Sequence, residues 1–415
     1  SLRSFSVYAF VMLFNAAISF TVFSWLTHQL SPADFGTINL YSSYSILLLP
    51  FISCGVQFIL SVDYFRMKPS EFSTHFQTGL LIPVGTTVFF VLTSLLCVGF
   101  LKDTLKANTF FILVAPFSCM LIIFNDIFIA QVRNRGKHNL YAGYSIFKTL
   151  SESFFTIGLV VLFSLKWQGR LGGALVSLII CGFIIYYFTR KWELLKNDDV
   201  NRSEIFKMAK QGLPFIPERL AIFFMSYSDR FFIDYFRGVQ SVGLYGAGAQ
   251  VGTIINLVTM ALSYTFQPVI FRKMSATPAD YEGLRNVIAG YIGIALLFTV
   301  VLIILMPFLF SYFIGNAFRE SSIYATNLAL AGFFWAVYNT FLSCLLFLKK
   351  NREIMCIAIV GMIASILLNI YNVKHFGPLG ATYSSIIVYV IMASLVIIRV
   401  HKHYNLGRIL KIRFT

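Results

Sequence analysis

Three basic side chains lie inside long apolar stretches of this sequence: Lys148, Arg219 and Arg230. A charge within the hydrocarbon of a membrane is costly, so such residues usually pair with an opposite charge or face an aqueous cavity. Guanidinium groups also match phosphate oxygens, because they can donate two parallel hydrogen bonds to them. The three cations therefore indicate a candidate binding site for a phosphate-bearing molecule.

Acidic side chains lie close to these cations in the sequence. Glu152 follows Lys148 by four residues, which places both on one face of a helix. Arg219 and Arg230 are eleven residues apart, about three turns at 3.6 residues per turn, so a single helix would carry both on one face. The carboxylates that could line the cavity, pair with these cations or bind a coupling ion are Asp126, Glu152, Glu218 and Asp229.

Each of these charges also has a purely structural interpretation. Lys148 could form a local ion pair with Glu152 that fixes helix packing. Arg230 could pair in the same way with Asp234, which follows it by four residues. Arg219 could extend its charged end to the lipid headgroups. The sequence leaves these alternatives open.

Polar side chains recur in three further apolar stretches, where Asn15, Asn256 and Asn369 lie among serines and threonines. Such residues either form hydrogen bonds between membrane helices or line a cavity that meets the hydroxyl groups of a sugar. We include the three asparagines as candidate polar residues of a cavity.

The elements that must position these residues are predicted to be membrane helices. Hydrophobic residues make up 58% of the chain and charged residues 12%, which is far too apolar for a soluble domain of this size. Runs of about 20 apolar residues are long enough to cross a bilayer, and they lack the alternation of barrel strands. We predict twelve such helices, at 5–26, 38–63, 77–100, 109–131, 142–165, 171–189, 213–236, 243–269, 287–312, 323–348, 354–373 and 379–399.

The net charge of +16 is explained by topology rather than by nucleic-acid binding. With the N-terminus on the cytoplasmic side, 23 of the 33 lysines and arginines fall on the cytoplasmic side, counting Arg399 at the end of the last predicted helix, and seven fall in outer loops. This is the asymmetry that orients membrane proteins. We therefore predict a multi-pass membrane protein with both termini in the cytoplasm and no nucleic-acid partner.

The second half of the sequence repeats features of the first. Segment 171–174 (Leu-Gly-Gly-Ala) matches segment 379–382 (Leu-Gly-Ala-Thr) at an offset of 208 residues, and Gly36 matches Gly243 at an offset of 207. Duplication is common among transporters, and an even number of crossings makes the repeats parallel. The predicted organisation is an N-terminal six-helix lobe at 1–189, a cytoplasmic linker at 190–211, a C-terminal six-helix lobe at 212–399 and a basic cytoplasmic tail at 400–415.

Motifs for catalysis and for cofactors are missing from the sequence. It has no GxxxxGKS/T phosphate-binding loop, no HExxH motif and no GxSxG motif. Its six cysteines form no CxxC pair, and its six histidines lie in predicted loops or in the tail. We therefore predict a protein that is not an enzyme and that needs no metal or cofactor.

Several segments match a family pattern: Leu-Ser-Pro-Ala-Asp-Phe-Gly-Thr-Ile at 30–38, Leu213-Pro214, Asp229-Arg230, Val-Gly-Leu-Tyr at 242–245 and Gly-Pro-Leu-Gly-Ala at 377–381. In these segments the chain resembles Wzx-type O-antigen flippases, within the multidrug/oligosaccharidyl-lipid/polysaccharide exporter superfamily. The likeness extends along the whole chain. Of the candidate site residues, only Asp229 and Arg230 belong to one of these motifs.

The resemblance implies a V-shaped pair of six-helix lobes that works by alternating access in the bacterial inner membrane. The implied substrate is an oligosaccharide repeat unit on undecaprenyl pyrophosphate, used for O-antigen and lipopolysaccharide synthesis and moved from the cytoplasmic to the periplasmic leaflet. Implied partners are an O-antigen polymerase and a chain-length regulator, and a proton or sodium ion could drive transport. The alternatives are a multidrug exporter of the same superfamily and a membrane enzyme such as an O-antigen polymerase.

Overall fold

The computed structural model describes residues 2–195, 202–276 and 280–404, and the chain in these ranges is almost entirely helical. A short 3₁₀ helix, Asn316–Ser321, precedes one of the long helices. The α-helices are α1 (Leu2–Gln29), α2 (Pro32–Ser53), α3 (Val56–Asp63), α4 (Pro69–Leu96), α5 (Val98–Leu105), α6 (Thr109–Asn134), α7 (His138–Leu162), α8 (Lys166–Lys191), α9 (Arg202–Gly212), α10 (Phe215–Ser226), α11 (Asp229–Arg237), α12 (Val239–Gly252), α13 (Ile254–Met274), α14 (Tyr281–Tyr312), α15 (Ser322–Phe347), α16 (Asn351–Phe376) and α17 (Pro378–Tyr404).

Eleven helical stretches in the described ranges are long and apolar enough to cross a membrane. They coincide with eleven of the twelve predicted segments, and the stretch Val239–Met274 joins α12 and α13. The chain is therefore an all-helical, multi-pass membrane protein, as its composition predicts. Its exposed surface is rich in large apolar side chains, which suits a bilayer and would not suit water.

The remaining predicted segment, 213–236, is not one continuous helix. α10 ends at Ser226 and α11 begins at Asp229. The Ser228 hydroxyl donates to the carbonyl of Phe224 at 2.6 Å, and the Arg230 guanidinium donates to the carbonyl of Ser226 at 2.6 Å. Side chains that bond to the backbone in this way compete with the helical hydrogen bonds. The prediction that Arg219 and Arg230 share one face of one helix was therefore wrong.

A second break separates α2 from α3, in the predicted segment 38–63. Cys54 and Gly55 both have positive φ, at 41° and 68°, which is costly for Cys and easy for Gly. An added Cβ on Gly55 would lie 2.8 Å from the ring of Phe215, and one on Gly212 would collide with the Cys54 carbonyl. Because Gly55 and Gly212 have no side chains, the segment that joins α9 to α10 can pack directly against the break between α2 and α3.

The chain divides into two compact units, Ser1–Leu220 and Ala221–Thr415. The boundary falls within α10, and the predicted linker 190–211 belongs to the first unit. Gly36 is the fifth residue of α2 and Gly243 is the fifth residue of α12, and both are buried. Each matched glycine therefore begins the second membrane element of its unit.

The two units also pack their helices in the same pattern, which confirms the internal repeat. In the first unit α6 contacts α2, α4 and α8, and α1 contacts α7. In the second unit α15 contacts α12, α14 and α17, and α11 contacts α16. Each unit ends in a tightly packed helical hairpin, α7 with α8 and α16 with α17.

Glycines allow the close approach within each hairpin. An added Cβ on Gly173 of α8 would lie 2.5 Å from the backbone nitrogen of Thr156 on α7. An added Cβ on Gly380 of α17 would collide with the backbone carbonyl of Asn372 on α16. Small residues let membrane helices pack at backbone distance, and here they bring the polar side chains of α7 and α8 together.

Candidate functional site

The first unit gathers five charged side chains, which we call the first-unit cluster: Asp126, Lys148, Glu152, Arg170 and Arg219. They lie on four helices, α6, α7, α8 and α10. Arg170 donates to Glu152 at 2.8 Å, and the two side chains are 31% and 32% exposed. The Arg170 guanidinium also contacts the Thr156 hydroxyl at 3.5 Å. This ion pair is therefore accessible to a ligand.

Lys148 has no carboxylate at ion-pair distance in the part of the chain that the structure describes. The local ion pair between Lys148 and Glu152 that the sequence allows does not form, because Arg170 of the neighbouring helix pairs with the Glu152 carboxylate. The hydroxyls of Ser151 and Ser177 both donate to the Lys148 carbonyl, at 3.0 and 3.2 Å, and lie 2.6 Å from each other. These bonds fix the backbone of α7 at Lys148 and leave its ammonium group free to bind an anion.

Asp126 is exposed on α6, and its neighbour Asn125 is buried. The Tyr144 hydroxyl donates to Asn125 Oδ1 at 2.7 Å, while Asn125 Nδ2 lies 3.5 Å from the Asp126 carboxylate. Lys148 and Arg219 lie near enough for their charges to act on this carboxylate. Asp126 is thus the shared neighbour of two predicted cations.

Arg219 is exposed on α10, and its guanidinium lies 5.0 Å from the centre of the Phe58 ring on α3. Glu218 is exposed beside it, and neither side chain forms an ion pair with another described residue. The cation–π contact orients the guanidinium without neutralising it. The break between α2 and α3 is what brings Phe58 to this position.

The second unit holds a different arrangement, which we call the Asp229 pair. Arg230 donates to Asp229 at 2.7 Å, and their side chains are only 11% and 6% exposed. The Tyr245 hydroxyl donates to the other carboxylate oxygen of Asp229. The Arg230 guanidinium lies 5.1 Å from the Tyr227 ring and 5.6 Å from the Tyr245 ring. Asp229, one of the candidate carboxylates, is thus the ion-pair partner of Arg230, and the alternative pair with Asp234 is not seen among the described residues.

The three asparagines occupy different environments. Asn369 is buried on α16 and donates to Ser365 Oγ at 3.3 Å, and Ser365 donates to the Phe224 carbonyl on α10. This network connects two helices. Asn256 is exposed on α13. Asn15 is partly exposed on α1, and its carbonyl oxygen has no hydrogen-bond partner among the described residues.

Arg170 is the site residue that sequence reasoning missed. It lies one residue before the predicted span 171–189 and was therefore assigned to an outer loop. Two features could have identified it: the short connection between α7 and α8, and the small residues Gly169 and Gly173 on one face of α8. Together they predict an antiparallel hairpin that sets Arg170 beside Glu152.

No group of three or more histidine, cysteine, aspartate or glutamate side chains in the described ranges could hold a metal ion. The cluster contains three cations and two carboxylates, all accessible or partly so, next to serine and threonine hydroxyls. Such a set of groups can bind a phosphate through charge-assisted hydrogen bonds and can exchange its internal ion pair for bonds to a ligand.

Solved structures with this arrangement of helices are membrane transporters. The chain resembles a multidrug resistance MATE family transporter of the MOP superfamily in an inward-facing conformation, with a TM-score of 0.75 and 11% identity over 99% of each chain. It also resembles the lipid II flippase MurJ in an inward closed conformation, with a TM-score of 0.75 and 13% identity over 99% of this chain and 90% of that one. These similarities define the fold.

Residues 1–274 match the family described as polysaccharide biosynthesis protein, and the chain belongs to that family. A Haemophilus influenzae protein of the Lsg locus is 21% identical to it over 272 residues. That match covers 65% of this chain and 65% of the length of the relative. The chain is therefore a member of the polysaccharide biosynthesis protein family that has the fold of these membrane transporters.

Proposed function

We propose that this protein is a flippase for oligosaccharide repeat units linked to undecaprenyl pyrophosphate. It would move each unit from the cytoplasmic to the periplasmic leaflet of the bacterial inner membrane by alternating access. The observation that carries the proposal is the first-unit cluster, in which Lys148 and Arg219 have no carboxylate at ion-pair distance among the residues that the structure describes. The membership of the polysaccharide biosynthesis family supports a substrate that bears a glycan.

The physical difficulty of this reaction is the passage of a diphosphate across hydrocarbon. An uncompensated charge at the centre of a bilayer costs at least about 3 kcal/mol. The Lys148 ammonium and the Arg219 guanidinium would donate hydrogen bonds to the diphosphate in place of the water molecules that it loses. Arg170 could leave Glu152 and add a two-pronged set of donors, since its side chain is accessible. The hydroxyls around α7 would bind sugar hydroxyl groups.

Asp126 and Glu152 are the candidates for binding a coupling ion. A diphosphate that binds Lys148 and Arg219 would neutralise the positive charges near Asp126. A diphosphate that binds Arg170 would replace Glu152 as the partner of that guanidinium. Either carboxylate would then gain affinity for a proton or a sodium ion, because the charge that opposed binding is neutralised. Coupling of this kind links substrate binding to ion binding without a cofactor.

The charge distribution supports a topology with both termini in the cytoplasm. In that orientation the repeat units would be delivered to the side where an O-antigen polymerase and a chain-length regulator act. We propose these two proteins as partners. The chain itself would carry out transport without catalysing a reaction, and joining of repeat units by the purified protein would overturn this assignment.

The decisive experiment is an analysis of lipid intermediates in a strain that lacks the gene. We expect single repeat units to accumulate on the cytoplasmic face, and plasmid-borne wild-type protein to release them. Lys148→Ala and Arg219→Ala should complement poorly at normal protein abundance. If the deletion strain still presents the units to the periplasm, the flippase assignment is wrong.

A multidrug exporter is the second candidate. It is favoured by the exposed carboxylate of Asp126, which could bind a cationic drug, and by the likeness to a MATE transporter. This candidate predicts that Asp126→Asn raises drug sensitivity and that Lys148→Ala does not. Equal drug sensitivity of the deletion and wild-type strains would exclude it.

A further inference from the structure

An apolar groove runs along the first unit between α4, α6 and α8, away from the first-unit cluster. We call it the α8 groove. Its volume is about 540 Å³, which lies within the range of roughly 300–1,000 Å³ for ligand pockets. Its lining is almost entirely apolar and includes Phe76 and Leu80 of α4, Phe117 and Leu121 of α6, and Ile179 and Phe183 of α8. The residues of the charged cluster take no part in it.

The groove covers one half of the membrane. Its lining on α8 extends from Ile179 to Thr189, which is about 15 Å at 1.5 Å per residue. Ile179 lies at the middle of the span Lys166–Lys191, and Thr189 lies near its end. Since a bilayer core is about 30 Å thick, the groove has the length of a single leaflet.

A guanidinium lies at the mouth of the groove. Arg190 donates to the hydroxyl of Tyr186 at 3.2 Å and to the carbonyl of Leu195 at 3.3 Å, and both of these residues line the groove. The described residues give it no ion pair with a carboxylate. The Arg190 guanidinium thus places a positive charge beside two residues that line the apolar groove.

Two further cations contact Trp192, which stacks on Phe128, a lining residue of the groove, with ring centres 5.6 Å apart. The guanidinium of Arg135 lies 4.6 Å from the centre of the Trp192 ring, and the ammonium of Lys137 lies 5.2 Å from it. Aromatic side chains of this kind mark the membrane interface. Two more positive charges are thus separated from the lining residue Phe128 by one aromatic ring.

We propose that the α8 groove is a binding site for one anionic phospholipid, with an acyl chain along α8 and the phosphate at Arg190. The charge complementarity selects this occupant. A neutral lipid would fill the apolar part but would bring no net negative charge to Arg190. Basic pockets between membrane helices bind anionic lipid headgroups. Bound lipid would hold α4, α6 and α8 together at their shared edge.

Gly182 provides a way to block the groove without disturbing the fold. It lines the groove, and an added Cβ would meet only Leu121, at 3.9 Å. Gly182→Leu should therefore fold and fill the space of an acyl chain. Gly293→Leu is the matched control, because Gly293 lies on the apolar helix α14 with no atom within 4 Å of an added Cβ.

Native mass spectrometry of the detergent-purified chain with 1-palmitoyl-2-oleoyl phosphatidylglycerol measures the occupancy. We expect wild type and Gly293→Leu to retain one tightly bound lipid and Gly182→Leu to lose most of it. Equal retention by Gly182→Leu and Gly293→Leu would overturn the proposed site.

The headgroup is tested by Arg190→Gln, with Arg399→Gln as the control at the corresponding end of α17. Competition between phosphatidylglycerol and phosphatidylcholine should favour the anionic lipid for wild type. Arg190→Gln should reduce that preference about fivefold and Arg399→Gln should leave it unchanged. No preference in the wild type would overturn the anionic assignment. Complete displacement of phosphatidylglycerol by undecaprenyl phosphate would show that the groove serves the lipid carrier instead.

A measurement in the bilayer complements these experiments. The chain has four tryptophans, and the triple variant Trp25→Phe, Trp167→Phe, Trp335→Phe keeps only Trp192. Brominated phosphatidylglycerol should quench Trp192 more strongly than brominated phosphatidylcholine at the same mole fraction. Equal quenching by the two lipids would contradict a selective site.

Discussion

Each unit of this protein contains an arginine paired with a carboxylate, but the two pairs lie in opposite environments. The side chains of Arg170 and Glu152 are each about a third exposed, at 31% and 32%. Those of Arg230 and Asp229 are 11% and 6% exposed, and tyrosine rings lie against the Arg230 guanidinium. An accessible pair can exchange one partner for a ligand, whereas a buried pair can do so only after the surrounding side chains move.

The two pairs therefore suit different tasks. Breaking a buried ion pair leaves a charge without compensation and costs about 3–5 kcal/mol, whereas an exposed pair contributes about 0–1 kcal/mol. The Asp229 pair lies where α10 ends and α11 begins, and Arg230 also donates to the Ser226 carbonyl. We interpret it as the element that stabilises this break, while the first-unit cluster is the candidate for substrate binding.

The largest expected effect is on the Asp229 pair. Asp229→Ala should lower the free energy of unfolding by about 3–5 kcal/mol, because Arg230 would remain buried without a counter-charge. Thermal unfolding in detergent, followed by intrinsic fluorescence, measures the change. Asp126→Ala is the matched control and should have little effect, since Asp126 is exposed. Equal destabilisation by the two variants would remove the contrast between the units.

The next effect concerns transport rather than stability. Lys148→Ala and Arg219→Ala should each weaken the transport of the lipid-linked repeat unit about 10- to 100-fold, as expected for a hydrogen bond to a charged group of about 1.5–3 kcal/mol. Their thermal unfolding should stay close to that of wild type. Lys166→Ala, at an exposed lysine that begins α8, is the control. Transport at the wild-type rate in both cluster variants would rule out these cations as substrate ligands.

A smaller effect is expected for the accessible ion pair. Arg170→Gln should lower the free energy of unfolding by less than Asp229→Ala does, because the Glu152 side chain is about a third exposed whereas that of Asp229 is almost fully buried. The double variant Arg170→Gln, Glu152→Gln should be no less stable than either single variant. A loss of several kcal/mol in the single variant would show that this pair is as structural as the Asp229 pair.

The smallest effect is expected at an ion pair outside the membrane. Asp280 accepts from Lys273 at 2.6 Å and from the backbone N–H of Gly283 at 2.8 Å at the start of α14. The Lys273 hydrogen bond, followed by that of Gly283, lowers the pKa of Asp280 below its usual 3.8. The carboxylate therefore stabilises the fold above pH 3.8, and this contribution is lost as the pH falls through the lowered pKa. Acid unfolding of wild type and Asp280→Asn should converge only below pH 3.8.

Much of the architecture could be predicted from the sequence, because a helix that crosses a membrane must be apolar along its whole length. Eleven of the twelve predicted segments follow from this local requirement, and the matched glycines predict the internal repeat. The breaks could not be predicted in the same way, because hydrophobicity does not register them. Both breaks lie in the middle of apolar runs. Backbone conformation interrupts the helix at Cys54 and Gly55, and side-chain hydrogen bonds interrupt it at Tyr227 and Ser228.

The sequence by itself determined which residue types enter the membrane: the cations, the carboxylates and the glycines that permit close packing. Only the tertiary structure decided their partners. Glu152 pairs with Arg170 across a hairpin rather than with Lys148 on its own helix, and Arg230 pairs with Asp229 rather than with Asp234. The reason is physical: spacing along a helix fixes which side chains share a face, but the approach of a second helix decides which charges meet and which remain accessible.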